Sequence, residues 1–317
     1  MLLLQHCNKF SVSNSLLFEP KSMTSPTHHL LTNTFQTVGI IGVGLIGGSL
    51  GLALKHHQIS SKVLGCGRSR PNMEEALRLG AISEIASLQE LGEQADLIIL
   101  CVPVAQTKSV LMQLVPFLRK ETLLIDVGST KSDVIAIAKE VLGEQVGQFI
   151  PCHPIAGGAQ HGASAAKFDL FEQRQLIICP LLENTPQAIL LIKQMWQQLG
   201  SVVFQMSALM HDHIFAAVSH LPHLLSYALM LQVANSEDAQ AKFAHAGAGF
   251  RDFTRIAGSS PEMWRDISFA NSEAILSQLD EYVNILQHFK KLIQDGNSEQ
   301  LEKLLMIASQ SRNNWKG

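Results

Sequence analysis

The chain has 317 residues, with 24 Lys plus Arg against 27 Asp plus Glu and a formal net charge of −3. A chain so near neutrality has no electrostatic footprint for nucleic acid, and 46% hydrophobic with 16% charged residues excludes a disordered chain. At about 150 residues per domain the length suggests two domains. Five scattered cysteines, without CxxC or CxxH spacing, argue against a disulfide framework or a zinc site and for a reducing, cytoplasmic setting.

Residues 1–34 are rich in Ser, Thr, Asn and His with the single acid Glu19, and they read as a flexible extension. The acid-poor composition resembles a transit peptide except that it lacks Arg; a start at Met23 is the alternative. No charge falls between Lys21 and Lys55, and Thr37 to Leu54 is apolar. Glycines at 39, 42, 44, 47, 48 and 51 make that stretch a poor membrane span, and no membrane partner is expected.

Unalternating Ile, Leu and Val runs predict strands buried on both faces at Val38–Ile41, Lys62–Cys66, Asp96–Val102, Thr122–Asp126, Gln148–Cys152, Gln175–Cys179 and Ser201–Gln205. Helical stretches such as Met73–Leu79 and Ser132–Val141 separate them. Alternating strand and helix implies an α/β fold, a Rossmann-type mostly parallel sheet over residues 35–205. Residues 206–317 read as an all-α domain, with breaks at His220, Pro222 and Gly247–Gly249 and a new helix at Pro261.

Gly42-Val43-Gly44-Leu45-Ile46-Gly47 directly follows the first strand and opens a helix. That context turns a common glycine spacing into a dinucleotide fingerprint: a tight turn at Gly42, backbone approach to a pyrophosphate at Gly44, close helix packing at Gly47. The second strand ends in Gly65-Cys66-Gly67-Arg68-Ser69-Arg70, without the acid that holds an NAD ribose. Arg68 and Arg70 around Ser69 suit a 2′-phosphate, so the expected cofactor is NADP. Val102 and Pro103, at a further strand end, join Leu45 and Ile46 in the expected cofactor set.

Asp126-Val127-Gly128-Ser129-Thr130-Lys131 and Cys152-His153-Pro154 follow the next strands, where an open α/β sheet builds its ligand crevice. His153 has the near-neutral titration needed to take a hydroxyl proton as hydride leaves the same carbon. His211, His213, His220 and His223 cluster in one helical segment without zinc spacing and read as packing or substrate contacts.

Together with Gly128-Ser129-Thr130-Lys131, His153-Pro154-x-x-Gly157, Ser219-His220-Leu221-Pro222-His223 and Phe253-Thr254-Arg255-Ile256-Ala257, the glycine motif resembles the prephenate/arogenate dehydrogenase family over residues 37 to 312. The resemblance implies an oxidative decarboxylation leading to tyrosine, in a monofunctional chain without a chorismate mutase or ACT domain. It implies that His153 accepts the proton of the ring hydroxyl and that Ser129 positions that hydroxyl near the nicotinamide. It further implies that Arg255 binds a substrate carboxylate, and that Asp212, His220, His223 and Trp264 line the pocket. The helical half would supply a homodimer face. Gly247-Ala248-Gly249 departs from a run of three glycines common in the family and bears on feedback by tyrosine. NADP preference points to arogenate as substrate, with prephenate, giving 4-hydroxyphenylpyruvate, as the alternative. A β-hydroxyacid dehydrogenase would use a Lys that the helical segment around Ser219–Leu229 lacks. A non-enzymatic NADP sensor would not need Ser129, His153 and Arg255 together.

Overall fold

In the computed structural model, which describes residues 34–158 and 160–316, the apolar runs of the first half become β1 (Phe35–Ile41), β2 (Ser60–Cys66), β3 (Glu84–Ile85), β4 (Leu97–Leu100), β5 (Leu123–Asp126) and β6 (Phe149–Ile150). They form one parallel sheet in the order β3-β2-β1-β4-β5-β6. Successive residues of β4 feed opposite layers. Leu97 and Ile99 pack with Leu50 and Leu54, whereas Ile98 and Leu100 pack with Leu91, Leu111 and Val134. Burial on both faces is why these strands carry no polar alternation. The covering helices are α1 (Leu45–His56), α2 (Arg70–Arg78), α3 (Leu88–Gln94), α4 (Thr107–Leu114) and α5 (Ser132–Leu142). The expectation for residues 1–34 lies outside the described residues except at Thr34.

One strand expectation needs correction. Gln148–Cys152 is not one strand: β6 ends at Ile150, and β7 (Cys152–Pro154) belongs to a second sheet with β8 (Gln175–Ile178) and β9 (Val202–Gln205), in the order β7-β8-β9. Pro151 between them has no N–H to donate to a ladder, so the pairing changes there. The two-residue edge strand β3 is too short to leave a pattern in the sequence. Helix α6 (Pro186–Gln198), capped by Thr185, connects β8 to its parallel neighbour β9.

The later chain is helical: α7 (Ala208–Phe215), α8 (Leu221–Ala234), α9 (Ala239–Ala244), α10 (Ala248–Thr254), α11 (Pro261–Ala270), α12 (Ser272–Gln294) and α13 (Ser298–Asn314). Ser260 caps α11, whose first residue is the expected Pro261. No break occurs at His220 or Pro222. Residues 216–220 form a π-turn that joins α7 to α8 in one 27-residue helical run, and its wide turn accommodates the N–H that Pro222 lacks. That run is long and apolar enough to cross a bilayer, yet its His211, Asp212 and His220 are buried in the protein. Elsewhere the helical part keeps much apolar surface exposed, including Leu276, Val283, Leu286 and Ile293 on α12 and Leu305, Met306 and Ile307 on α13.

Close packing of α1 on the sheet gives a direct test. A Cβ at Gly51 would collide with the carbonyl oxygen of Ala81. Alanine is otherwise worth about 1 kcal/mol over glycine within a helix, but overpacking against backbone costs about 1–3 kcal/mol. Gly51→Ala is therefore expected to lower the urea midpoint at unchanged m-value. A midpoint equal to or above the parent's contradicts the packing described.

Candidate active site

The carboxyl ends of β1, β4 and β5 lie along one edge of the sheet, and the chain order reverses between β1 and β4, where an open sheet leaves a crevice. Gly42 leaves β1 with φ +93°, and a Cβ there would strike the carbonyl of Cys101 beyond β4. A Cβ on Gly47 would strike the Gly42 carbonyl, whereas Gly44 has no atom within 4 Å of its Cβ position. Thus the first and third glycines close the turn and the second stays open. The N-terminus of α1 has no side-chain cap, so its N–H groups are available to an anion. These features fit a dinucleotide pyrophosphate. Asn72, which sequence reading missed, braces the turn: its Nδ2 donates to Val43 O (2.7 Å), and its Oδ1 accepts from Ala163 N (2.8 Å). A cleft of about 330 Å³ beside Leu45 is walled by Gly157, Gly158, Gln160 and Lys167.

At the end of β2, Arg68, Ser69 and Arg70 are all exposed. Ser69 is the N-cap of α2, its hydroxyl accepting from Asn72 N. Arg70 pairs with Glu74 at 2.8 Å, with both side chains open to solvent. Val102 and Pro103 follow β4 on the crevice edge.

Beyond β5, Asp126 organises the next loop. Its Oδ2 accepts from Gly128 N (2.9 Å) and from Lys131 Nζ (2.5 Å), and its Oδ1 accepts from Cys152 N (3.0 Å) at the start of β7. Lys131 is fully buried. Removing one member of a buried pair strands the other charge, so this pair fixes the turn that presents Ser129. The Ser129 side chain is half-buried and forms no hydrogen bond among the described residues.

His153 stands on β7, immediately past the end of β6. Its Nδ1 lies 2.8 Å from Nε2 of His211, and His211 Nδ1 lies 2.8 Å from Oδ1 of Asp212. Asp212 also accepts from the backbone N–H of Lys131 (2.9 Å) and Ser132 (2.8 Å), at the N-terminus of α5. Phe215 packs against both imidazoles. Burial, the Lys131 charge, and His211 and His220 hold His153 well below its usual titration range. Burial raises the Asp212 carboxyl, but hydrogen bonds from His211, Ser132 and Lys131 outweigh it and bring the group to about 2.

His220 is oriented by a residue that the sequence did not flag. Nδ2 of Asn271 donates to the carbonyl of Asp212 (2.8 Å), which can only accept. The same Nδ2 faces His220 Nδ1 at 3.2 Å. Nδ1 therefore accepts, and neutral His220 carries its proton on Nε2. That buried N–H faces the Ser129 backbone, a contact that favours the protonated imidazole. Burial is the main cause bringing His220 to about 4. Trp264 Nε1 is buried and unpartnered. His223 stacks on Trp264 at 3.6 Å, donates from Nδ1 to Ser219 O (2.9 Å), and senses the charge of Arg255. Arg255 is exposed and has no carboxylate partner among the described residues.

Contacts through His211, Asn271 and Trp264 thus link His153, Asp212, His220, His223 and Arg255, with Ser129 against His220, but Asp212 spends its oxygens on protein donors. Asn72, Lys131 and Asn271 were the omissions, and His211 was read only as a packing or substrate contact. The Gly128-Ser129-Thr130-Lys131 motif already contained Lys131, and His211 stands next to Asp212 in the chain. Among the described residues no group of three His, Cys, Asp or Glu side chains is placed to hold a metal ion. Cys179 is pushed up to about 12, mainly by burial, and does not supply a thiolate at neutral pH.

The buried imidazoles make stability pH-dependent. His220 is depressed from 6.5 to about 4, so the unfolded chain binds its proton first; stability is complete above pH 6.5 and falls from there to pH 4. Asp212, depressed from 3.8 to about 2, extends the loss as the pH falls from about 4 toward 2. Unfolding free energy measured in urea is expected to decline from pH 6.5 downward with uptake of at least about one proton. A flat profile between pH 6.5 and 4.5 contradicts it.

Two family models match the chain: "Prephenate dehydrogenase, nucleotide-binding domain" over residues 50–205 and "Prephenate dehydrogenase, dimerization domain" over residues 207–307. The chain is 34% identical over 280 residues to prephenate dehydrogenase of Bacillus subtilis, covering 87% of this chain and 75% of that one. It superposes with TM-score 0.82 and 31% identity on prephenate dehydrogenase from A. aeolicus, solved with hydroxyphenyl propionate and NAD+, over 87% of this chain and 97% of that one. Arogenate dehydrogenase of Synechocystis superposes with TM-score 0.74 and 28% identity, over 87% and 99%. With this crevice and these matches over both halves, the chain belongs to the prephenate/arogenate dehydrogenase family of oxidoreductases.

Proposed function

We propose that the protein is an NADP-dependent arogenate dehydrogenase that forms tyrosine by oxidative decarboxylation. The observation that carries the reading is the buried His153, on the strand that leads to Gly157 and Gly158 in the wall of the Leu45 cleft, with the His220 N–H facing the Ser129 loop. A bound nicotinamide supplies the hydride acceptor. The chain's own residues do the rest. Nε2 of His153 takes the proton of the substrate's ring hydroxyl, and Ser129 and the His220 N–H orient the substrate oxygens. Arg255, exposed and without an acidic partner, offers a bidentate fork to a carboxylate. His223 and Trp264 form the pocket wall, while Asp212 acts through the groups it fixes. Loss of the ring carboxylate as carbon dioxide leaves an aromatic product.

Two basic side chains and no acid follow β2, which favours a 2′-phosphate over a free ribose hydroxyl. The Arg70–Glu74 pair is solvent-exposed and contributes at most about 1 kcal/mol, so a phosphate can displace it. Residues 35–205 serve the cofactor; residues 206–317 serve the substrate and, through the apolar surface of α12 and α13, a second copy of the chain. Burial in a homodimer accounts for that surface without a membrane, and a cytoplasmic enzyme acting on a small molecule, without nucleic acid, fits the whole. Prephenate is the second reading, supported by the named relatives.

Initial rates of cofactor reduction with each pairing of arogenate or prephenate and NADP+ or NAD+ test this directly. The fastest pairing is expected to be arogenate with NADP+, and a higher kcat/KM for prephenate or for NAD+ overturns that part of the reading. A charge-assisted bond is worth about 1.5–3 kcal/mol. The double variant Arg68→Ala/Arg70→Ala is therefore expected to weaken NADP+ binding by roughly 10-fold or more while sparing NAD+. Unchanged NADP+ affinity places the phosphate elsewhere.

A further inference from the structure

His153 reaches His211 through Nδ1, and no hydrogen bond engages its Nε2 among the described residues. Which of the two nitrogens carries the proton follows from the far end of the chain of contacts. Asp212 accepts from two backbone N–H groups and is ionised above a pH of about 2. An ionised carboxylate only accepts, so at 2.8 Å the proton between them belongs to Nδ1 of His211. His211 is itself held below its usual titration range, chiefly by burial and against the pull of Asp212, and is neutral near pH 7. A neutral imidazole with its proton on Nδ1 has only a lone pair on Nε2. The 2.8 Å contact to His153 then requires His153 to donate from Nδ1.

We propose that His211, itself oriented by Asp212, is a positioning residue that holds His153 as the Nδ1–H tautomer and so leaves the Nε2 lone pair for the substrate hydroxyl. This rests on the reading of His153 as proton acceptor. The proton moves from the hydroxyl oxygen to Nε2 of His153, and the imidazolium that forms keeps its Nδ1–H on His211, with the Asp212 carboxylate behind it. Lys131 and His220 also face His153 and oppose its charging, while Asp126 neutralises Lys131 through their direct pair. Phe215 supplies only an apolar face. His211 therefore orients the base, and the surrounding charges set how readily it takes the proton. Protonation of His211 in acid would put a donor on its Nε2, reverse the shared bond and place the His153 proton on Nε2.

Nitrogen-15 spectra of the full-length, histidine-labelled protein at pH 7.5 read the tautomers without substrate. Expected are a protonated Nδ1 and an unprotonated Nε2 at both His153 and His211, assigned with His153→Asn and His211→Gln. A protonated Nε2 on His153 overturns the proposal. Kinetics supply the second arm. His211→Phe keeps the aromatic packing but removes the acceptor, and kcat is expected to fall by about tenfold or more, with KM for both substrates little changed. His211→Gln restores an acceptor at similar reach and should recover most of that loss. Equal rates for Phe and Gln at matched melting temperatures reduce His211 to packing and overturn the proposal. If neither arogenate nor prephenate is turned over but the spectra show the expected tautomers, the assigned reaction fails while the tether remains.

Discussion

A single carboxylate joins the architecture to the chemistry. Asp212, on the first helix of the α-helical half, receives the N–H groups of Lys131 and Ser132 at the start of α5 and the imidazole of His211. Its backbone carbonyl holds Asn271, which in turn orients His220. An anion at a helix N-terminus is favoured by the free N–H groups and the dipole there, which is why so buried a group stays ionised. The helical half is thereby docked on the loop that carries Ser129, and two histidines are held in defined hydrogen-bonding states. Nearby, Asp126 and Lys131 tie the ends of β5 and β7 together. Both carboxylates are committed to protein groups, so neither is free to take a proton from a ligand.

The imidazoles of His153 and His220, which feel each other's charge, complement each other. His220 is forced by Asn271 to be a donor at Nε2, whereas the Asp212–His211 series makes His153 an acceptor there. Oxidising an alcohol while holding a carboxylated ring calls for one group that takes a proton and another that donates a hydrogen bond. Identical side chains acquire these opposite roles from their second neighbours, an amide in one case and a carboxylate in the other. Burial keeps both uncharged near neutrality, and a neutral His153 is the form that can accept.

Much of this was legible in the sequence because it lives in local pattern. The glycine turn, the doubly buried strands and Pro261 at the head of α11 each follow from short-range sterics or periodicity. The departures have equally physical causes. Pro151 splits one apolar run between two sheets, and the π-turn at 216–220 absorbs Pro222 instead of ending a helix there. Within the site, Ser129, His153 and Arg255 stand in recognisable motifs. His211, Lys131 and Asn271 matter through contacts spanning 58, 5 and 51 or more residues, and periodicity carries no information about such pairings. Exposed Leu and Ile on α12 and α13 could be read from composition only as part of a helical segment.

The central claim is that His153 is a base and not a packing histidine, and replacing it with Asn tests this most directly. Asn keeps a hydrogen-bonding side chain of similar reach but cannot take up a proton near neutral pH. General-base assistance is worth about 10²- to 10⁴-fold. His153→Asn is expected to lose that much in kcat, with cofactor affinity and melting temperature preserved. A variant that melts normally and turns over within about threefold of the native rate would contradict the account.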